Sequence, residues 1–387
     1  MKVYLDNAAT TVVAPEVLAA MRQWFVKDYG NPATLYSFGA RASAALEAAR
    51  AEIAKRIGAQ PHEIVFTSGG TESNNLAIKG IAYSKGRGHI VASAIEHASV
   101  LNCCRELTKQ GFKISYLPVD KDGIVKLEEL ENVLTKETIL VTVMHANNEI
   151  GSIQPIEEIG RICSEKQIPF HTDAVQSFTK EPLDVKKANL SLVSLSAHKI
   201  HGPKGVGALF VKSGLKLKPL LQGGEQEFGI RPGTQNVAGA VGFSTAIRLV
   251  KPSHISKMRA LRDRLIKRVL STIPGSSLNG SAKKRLCNNA NFSFDFIEGE
   301  ALVLELDKMG VYASTGSACT SHMPEPSHVL LALGLPTHKV HSSLRLTLSM
   351  YTTKKEIDYT IEQLAKAVQT LRQRSPPRQL ASTHTMK

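Results

Sequence analysis

Two stretches decide the fold: Ile168-Pro169-Phe170-His171-Thr172-Asp173-Ala174-Val175-Gln176, and then Leu192-Val193-Ser194-Leu195-Ser196-Ala197-His198-Lys199. Ile168–Thr172 and Leu192–Ser196 are apolar runs of strand length, too short for buried helices. Each ends by delivering polar side chains: Asp173 and Gln176 after the first, His198 and Lys199 after the second. Working outward, 63–67, 89–92, 113–117, 139–144 and 206–211 also read as strands, and 71–83, 99–110 and 155–166 as helices. Proline at position 155 suits the first turn of the last helix. Such alternation predicts a mainly parallel sheet with helices on both faces. In open sheets of this kind, ligands bind beyond the C-terminal ends of the strands, where the polar residues above fall.

The fold class is therefore α/β. The reading places a large domain at 13–254, with a glycine-rich loop at 219–236. A smaller α+β domain takes 1–12 and 255–372, with helices near 257–270, 300–309 and 354–371 and a strand at 291–296. It carries a mobile cysteine loop at about 314–325. Residues 373–387 are polar and expected to be a disordered tail.

The 387-residue chain is 42% hydrophobic and 21% charged, ordinary for a globular protein. No apolar run reaches the roughly 18 residues of a membrane span, and no secretory signal opens the sequence. The five cysteines (103, 104, 163, 287 and 319) are odd in number and form no CxxC pair. That excludes a disulfide framework or zinc knuckle and suits a reducing, cytoplasmic setting. Cys103, Cys104 and Cys163 read as core. The net charge of +14 raises nucleic acid as a partner. The basic residues are scattered and aromatics are only 5%, so direct nucleic-acid binding is not expected, although tRNA or an acidic protein stays open.

Seven segments carry candidate chemistry, and each has a plainer reading. Lys199, just past a strand, would be partly desolvated there, which favours the free amine that a Schiff base needs; otherwise it is a loop lysine. Asp173 suits the pyridine nitrogen of pyridoxal 5'-phosphate (PLP), or it caps a turn. Thr67-Ser68-Gly69-Gly70-Thr71 offers backbone N–H groups and a helix start to a phosphate, or is a simple turn; no Walker lysine follows. His97 stacks on a planar ring and shuttles protons, or merely begins a helix. Asn148, in His145-Ala146-Asn147-Asn148-Glu149, hydrogen-bonds a ring hydroxyl or a substrate carboxylate, or sits in a tight turn. Cys319 lies among small polar residues, Ser314-Thr315-Gly316-Ser317-Ala318-Cys319-Thr320-Ser321. That context suits an accessible reactive thiol rather than a buried one. Arg345, in His341-Ser342-Ser343-Leu344-Arg345, clamps a carboxylate, or faces solvent from an edge strand.

Taken together, and with Tyr4-Leu5-Asp6-Asn7-Ala8-Ala9-Thr10-Thr11, Gly30-Asn31-Pro32 and Arg231-Pro232-Gly233-Thr234, these segments resemble the class I cysteine desulfurases over nearly the whole chain, to about Ile361. The resemblance implies the PLP-dependent transferase fold type I in a homodimer. It implies that Lys199 forms the Schiff base, Asp173 faces the pyridine nitrogen, His97 stacks on the ring and Gln176 meets the ring oxygen. Thr71 beside Gly70, with Ser196 and His198, would hold the phosphate, joined by Thr234 from the partner subunit. Asn148 and Arg345 would bind the carboxylate of L-cysteine, and Cys319 would accept its sulfur as a persulfide. No metal is implied. Acceptor proteins such as an iron–sulfur scaffold, or a tRNA-thiolation relay, would follow. Tyr36 stands where the family usually has histidine, Phe228 where arginine is common and Pro232 where serine is frequent. The Cys319 segment has the longer class I form and lacks the class II Arg-x-Gly-His-x-Cys pattern. The rival expectations are another PLP enzyme, such as a selenocysteine lyase or aminotransferase, and a non-catalytic basic scaffold.

Overall fold

The structure is a computed structural model that describes residues 1–316 and 326–374; Cys319 and residues 375–387 lie outside the described residues. The chain begins with strand β1 (Val3–Tyr4) and helices α1 (Pro15–Val26) and α2 (Ser37–Ile57). There follow β2 (Ile64–Thr67), α3 (Gly70–Lys85), β3 (His89–Ser93), α4 (Ala98–Lys109), β4 (Lys113–Leu117), α5 (Leu127–Val133), β5 (Thr138–Thr142) and α6 (Ile156–Glu165). Next come β6 (Phe170–Asp173), β7 (Leu192–Ser196), β8 (Gly207–Val211), α7 (Val237–Leu249) and α8 (Pro252–Thr272). The remainder is β9 (Ser276–Leu278), β10 (Asn289–Phe294), α9 (Gly299–Lys308), β11 (Val311–Tyr312), α10 (His328–Ala332), α11 (Thr337–His341), β12 (Ser343–Thr347) and α12 (Lys354–Arg374).

Strands β2 to β8 form one seven-stranded sheet in the order β2-β8-β7-β6-β5-β3-β4. Strands β3 to β7 run parallel, and β8 is antiparallel to both its neighbours. The anticipated mainly parallel sheet is therefore present. Residues such as Ile90, Val91, Leu140, Val193 and Leu195 are fully buried, as strands covered on both faces must be. One edge of the sheet collects the C-terminal ends of β2, β3, β5, β6 and β7. Close approach fixes this edge: a Cβ on Gly207 would come within 2.7 Å of the Gly69 Cα.

Helices α1, α2 and α7 escaped the sequence reading. The α2 segment is alanine-rich, a strong helix former. It ends at Gly58, whose φ of 73° provides a left-handed cap, with its N–H bonded to the Ala54 carbonyl. The α7 helix is buried almost all round, so it shows no amphipathic stripe to detect.

The second unit has the antiparallel sheet β12-β10-β9. Its core holds Phe292, Phe294, Leu306, Leu344, Leu346 and Leu364, each worth about 1.5–3 kcal/mol on burial. The strand expected at 291–296 is shifted to 289–294, and α12 runs to Arg374, so residues 373 and 374 are helical rather than tail. The N-terminal segment joins this unit, since β1 pairs in parallel with β11.

The loop between β8 and α7 is anchored from inside. Glu227 and Phe228 take φ of 48° and 60°, a left-handed region that non-glycine residues avoid. The Glu227 carboxylate accepts from both terminal nitrogens of Arg50 at 2.7 and 2.8 Å and from the Phe66 N–H at 2.7 Å. Arg50 also lies over the Phe66 and Phe228 rings.

Candidate active site

A cavity of 310 Å³ opens at the C-terminal edge of the large sheet. Its walls include Gly70, Thr71, His97, Asn148, Asp173, Gln176, Ser196, His198, Lys199 and Arg345. Residues scattered over most of the chain thus converge because each follows a strand of one sheet, or, for Arg345, lies on β12 of the second unit. Thr234 is exposed and is not among the lining residues. Cys319 lies outside the described residues, but Gly316 and His328, on either side of it in sequence, both line the cavity.

Asp173 is buried at the end of β6. Its Oδ2 accepts from Asn74 Nδ2 at 2.7 Å and its Oδ1 from the Val175 N–H at 2.9 Å. These two hydrogen bonds fix the orientation of the carboxylate. Lys199 ends a short turn after β7, and its Nζ donates to the carbonyls of Ala8 at 2.5 Å and Ala9 at 2.6 Å. Gln176 Nε2 donates to the same Ala8 carbonyl at 3.0 Å.

His97 caps α4 through its Nδ1, which accepts from the Ser99 N–H. Capping and cavity lining therefore coexist in one residue. Burial lowers its pKa, against the pull of Asp173. Burial likewise takes His198 down to about 4, helped by the charge of Lys199. Both rings are thus neutral near pH 7 and able to give or take a proton. His198 Nδ1 shares a hydrogen bond with Thr10 Oγ1 at 3.1 Å.

Arg345 is buried, which removes the solvent-facing alternative. It donates to Asp6 Oδ1 at 2.7 Å, to the Gly316 carbonyl at 2.7 Å and to the Asn148 carbonyl at 3.1 Å. Its Nε has no partner among the described residues.

Sequence reading missed several wall residues. Asn74, buried on the inner face of α3, orients Asp173; a buried asparagine beside the glycine-rich turn was the available signal. Glu149 accepts from Ser327 Oγ at 2.6 Å, and His328 Nε2 donates to the Glu96 carbonyl at 3.0 Å. Nothing local in sequence marks these two, because their partners are far along the chain.

An α/β sheet with a lysine, a carboxylate and a neutral histidine at its C-terminal edge, beside a glycine-rich helix start, defines a PLP-type enzyme. The chain belongs to the aminotransferase class-V family, and within it to the cysteine desulfurases. The family's sequence profile matches residues 3–360. The cysteine desulfurase IscS of Clostridium botulinum (strain Hall) is 50% identical over 382 residues, 97% of this chain and 96% of the relative. A solved NifS-like protein superposes with a TM-score of 0.89 at 38% identity, covering 96% of this chain and all of that one. SspA, solved in complex with cysteine, gives a TM-score of 0.83 at 37% identity over 91% of this chain. The cofactor of this family is PLP.

The residues present fit that cofactor. Ser196 Oγ is buried without a partner among the described residues, a donor at the sheet edge beside Gly70. Gly69 takes φ 154° and ψ −177°, a conformation open essentially only to glycine. A Cβ on Gly70 would strike Val175 at 2.7 Å. The start of α3 therefore presents bare backbone N–H groups to an anion, while Asp173 supplies the negative charge a pyridinium requires.

Proposed function

We propose that the chain works as a cysteine desulfurase through the residues gathered in this cavity, with Cys319 as the sulfur acceptor. The observation that carries the assignment is that Lys199, Asp173, His97 and Arg345 line one cavity. Asp173 would lie against the pyridine nitrogen, His97 over the ring, and Gln176 at the ring oxygen. Gly70, Thr71, Ser196 and His198 would hold the phosphate. When bound, PLP supplies an electron sink that makes the substrate's Cα–H acidic and its Cβ–S bond labile.

The chain's own groups do the rest. Arg345 and Asn148 bind and orient the carboxylate of L-cysteine, and the Arg345 Nε is a donor left over after its internal bonds. Lys199 Nζ carries the Cα proton. The Cys319 thiolate bonds to the substrate sulfur as the Cβ–S bond breaks, and the electron pair of that bond stays with carbon. Protonation of that carbon gives alanine, and His97, held neutral by burial, is placed to move protons at the sulfur.

A second copy of this chain is the partner the surface favours. Phe25, Val26 and Tyr29 are 61%, 70% and 69% exposed, and Leu35, Tyr36 and Phe228 are exposed as well. A monomer rarely leaves so many large apolar side chains in water. Thr234, exposed and away from its own cavity, would serve the partner's site. We assign residues 13–254 to a large domain and 1–12 with 255–372 to a small one, on the two separate cores. No helix among the described residues is long and apolar enough to cross a membrane. We assign the enzyme to the cytoplasm, passing sulfur to an iron–sulfur scaffold or to tRNA thiolation.

The test is incubation with PLP and sulfur-labelled L-cysteine. Cys319→Ser is expected to keep the visible absorbance of bound cofactor and carry no label. Lys199→Ala is expected to lose that absorbance. Label retained on the serine variant overturns the acceptor assignment, and an unchanged spectrum in the alanine variant overturns that of Lys199.

A further inference from the structure

Behind the cavity stands a second lysine whose ammonium is buried. Lys180 Nζ donates to the Gln176 carbonyl at 2.8 Å and to the Lys199 carbonyl at 3.4 Å. Both acceptors belong to residues that line the cofactor cavity. A small separate void of 20 Å³ is lined by Lys180 and Lys199 together. The residue before it, Thr179, has φ 66°, a left-handed conformation that is strained for a β-branched side chain. Its Oγ1 is buried without a partner among the described residues. Strain and an orphaned hydroxyl at the preceding residue accompany a lysine turned inward, a combination that packing alone does not require.

The charge of Lys180 is poorly cancelled. The groups facing it are the Cys287 thiol and the Glu181 carboxyl. Burial pushes the thiol up to about 11, so it is neutral. Burial also raises Glu181, against the charges of Arg259, Arg262 and Lys180. Burial lowers Lys180 itself to about 8, which leaves it mostly protonated at pH 7. Its charge reaches His198 and His201, contributing to their lowered pKa values.

We propose that Lys180 is a positioning residue of the cofactor site: it ties the Gln176 carbonyl to that of Lys199 and holds a positive charge behind the Lys199 nitrogen. The proposal rests on the reading of Lys199 as the cofactor-holding lysine. On the cavity side stand the carboxylates of Asp173 and Glu149. Arg345 is paired with Asp6, His97 and His198 are neutral, and His328 completes the wall. From the opposite side, Lys180 makes a proton on the Lys199 nitrogen less favourable, as a like charge does.

The experiment uses the full chain loaded with PLP. Wild type, Lys180→Met, Lys180→Gln and Lys180→Arg are titrated over about pH 6 to 10 while the visible band is recorded, and the apoproteins are melted in parallel. Removing the charge with Met or Gln is expected to raise the midpoint of the spectral change by about one pH unit. Arg, which keeps the charge, is expected to return the midpoint toward wild type. Midpoints for Met and Gln that match wild type overturn the proposal, as does an Arg variant shifted as far as Met. If no variant shows a melting transition, Lys180 is a packing residue and the proposal also fails. A wild-type protein with no visible band defeats the assignment of Lys199 instead, so the two failures are distinguishable.

Discussion

Substituting Glu227→Gln tests whether an internal ion pair holds the loop that carries Arg231 and Thr234. Arg50 and Glu227 are both almost wholly buried, with side-chain exposures of 2% and 1%. Every guanidinium nitrogen is engaged: Nε meets Glu47, one terminal nitrogen meets the Ile64 carbonyl and Glu227, and the other meets Glu227. Every neighbour of the Glu227 carboxylate is a donor, including the Phe66 N–H. A glutamine keeps the shape but turns an NH₂ group toward one of these donors. Breaking a buried pair from one side costs about 3–5 kcal/mol, because the remaining charge is left uncompensated. That is a large share of a typical stability of about 5–15 kcal/mol. Arg50→Met strands the carboxylate and is expected to cost about as much. The double variant buries no charge, so the two losses will not add, and a coupling of about 2 kcal/mol or more is expected. Urea unfolding of the four proteins, followed through the single tryptophan, Trp24, measures the cycle. Hydrogen exchange should also quicken across 225–234 in Glu227→Gln, since the left-handed residues there lose their anchor. Additive losses, or a single-variant cost below about 1 kcal/mol, would refute the argument.

Three further outcomes are expected. Burial raises the Glu96 carboxyl well above its usual range, so the folded state binds a proton that the unfolded chain releases. The stability this group contributes is full below the unfolded pKa and lost as pH rises through the folded one; Glu96→Gln should remove that decline, seen as a flatter melting-temperature profile above about pH 5. Asn74→Ala removes a charge-assisted hydrogen bond from Asp173 and should weaken PLP binding about tenfold or more, measured by spectral titration of the apoprotein; unchanged affinity would show that Asn74 does not orient Asp173. Gly160→Ala sets a Cβ 1.9 Å from the Ala188 carbonyl oxygen, and should cost about 1–3 kcal/mol or more in denaturant unfolding; a neutral result would mean α6 shifts freely over that turn.

The sheet was legible because most of its strands are buried on both faces, and β2, β3, β5, β6 and β7 each lead into a polar cluster. For the same reason the cavity residues that follow strands, Asp173, Asn148, His97 and Lys199, could be picked out before any geometry was known. What stayed hidden depends on contacts distant in sequence. His328 lines the wall only because its ring bonds the carbonyl of Glu96. Lys180 looks like any lysine after a turn, and its burial depends on the backbone conformation at Thr179. Helix α7 lacks an apolar stripe because every side of it is covered.

The first dozen residues bear on how the protein is made. Asn7 donates to the carbonyl of Thr347, 340 positions away, Ala8 and Ala9 receive the Lys199 ammonium, and Asp6 takes Arg345. This segment leaves the ribosome early, meets its partners at Gln176, His198 and Lys199 midway through synthesis, and gains the rest only when β11 and β12 emerge. The chamber therefore closes only when synthesis is almost finished, and a nascent chain stalled before β12 would hold its sheet and the groups assigned to vitamin B6 but lack the arginine proposed to take the amino-acid carboxylate.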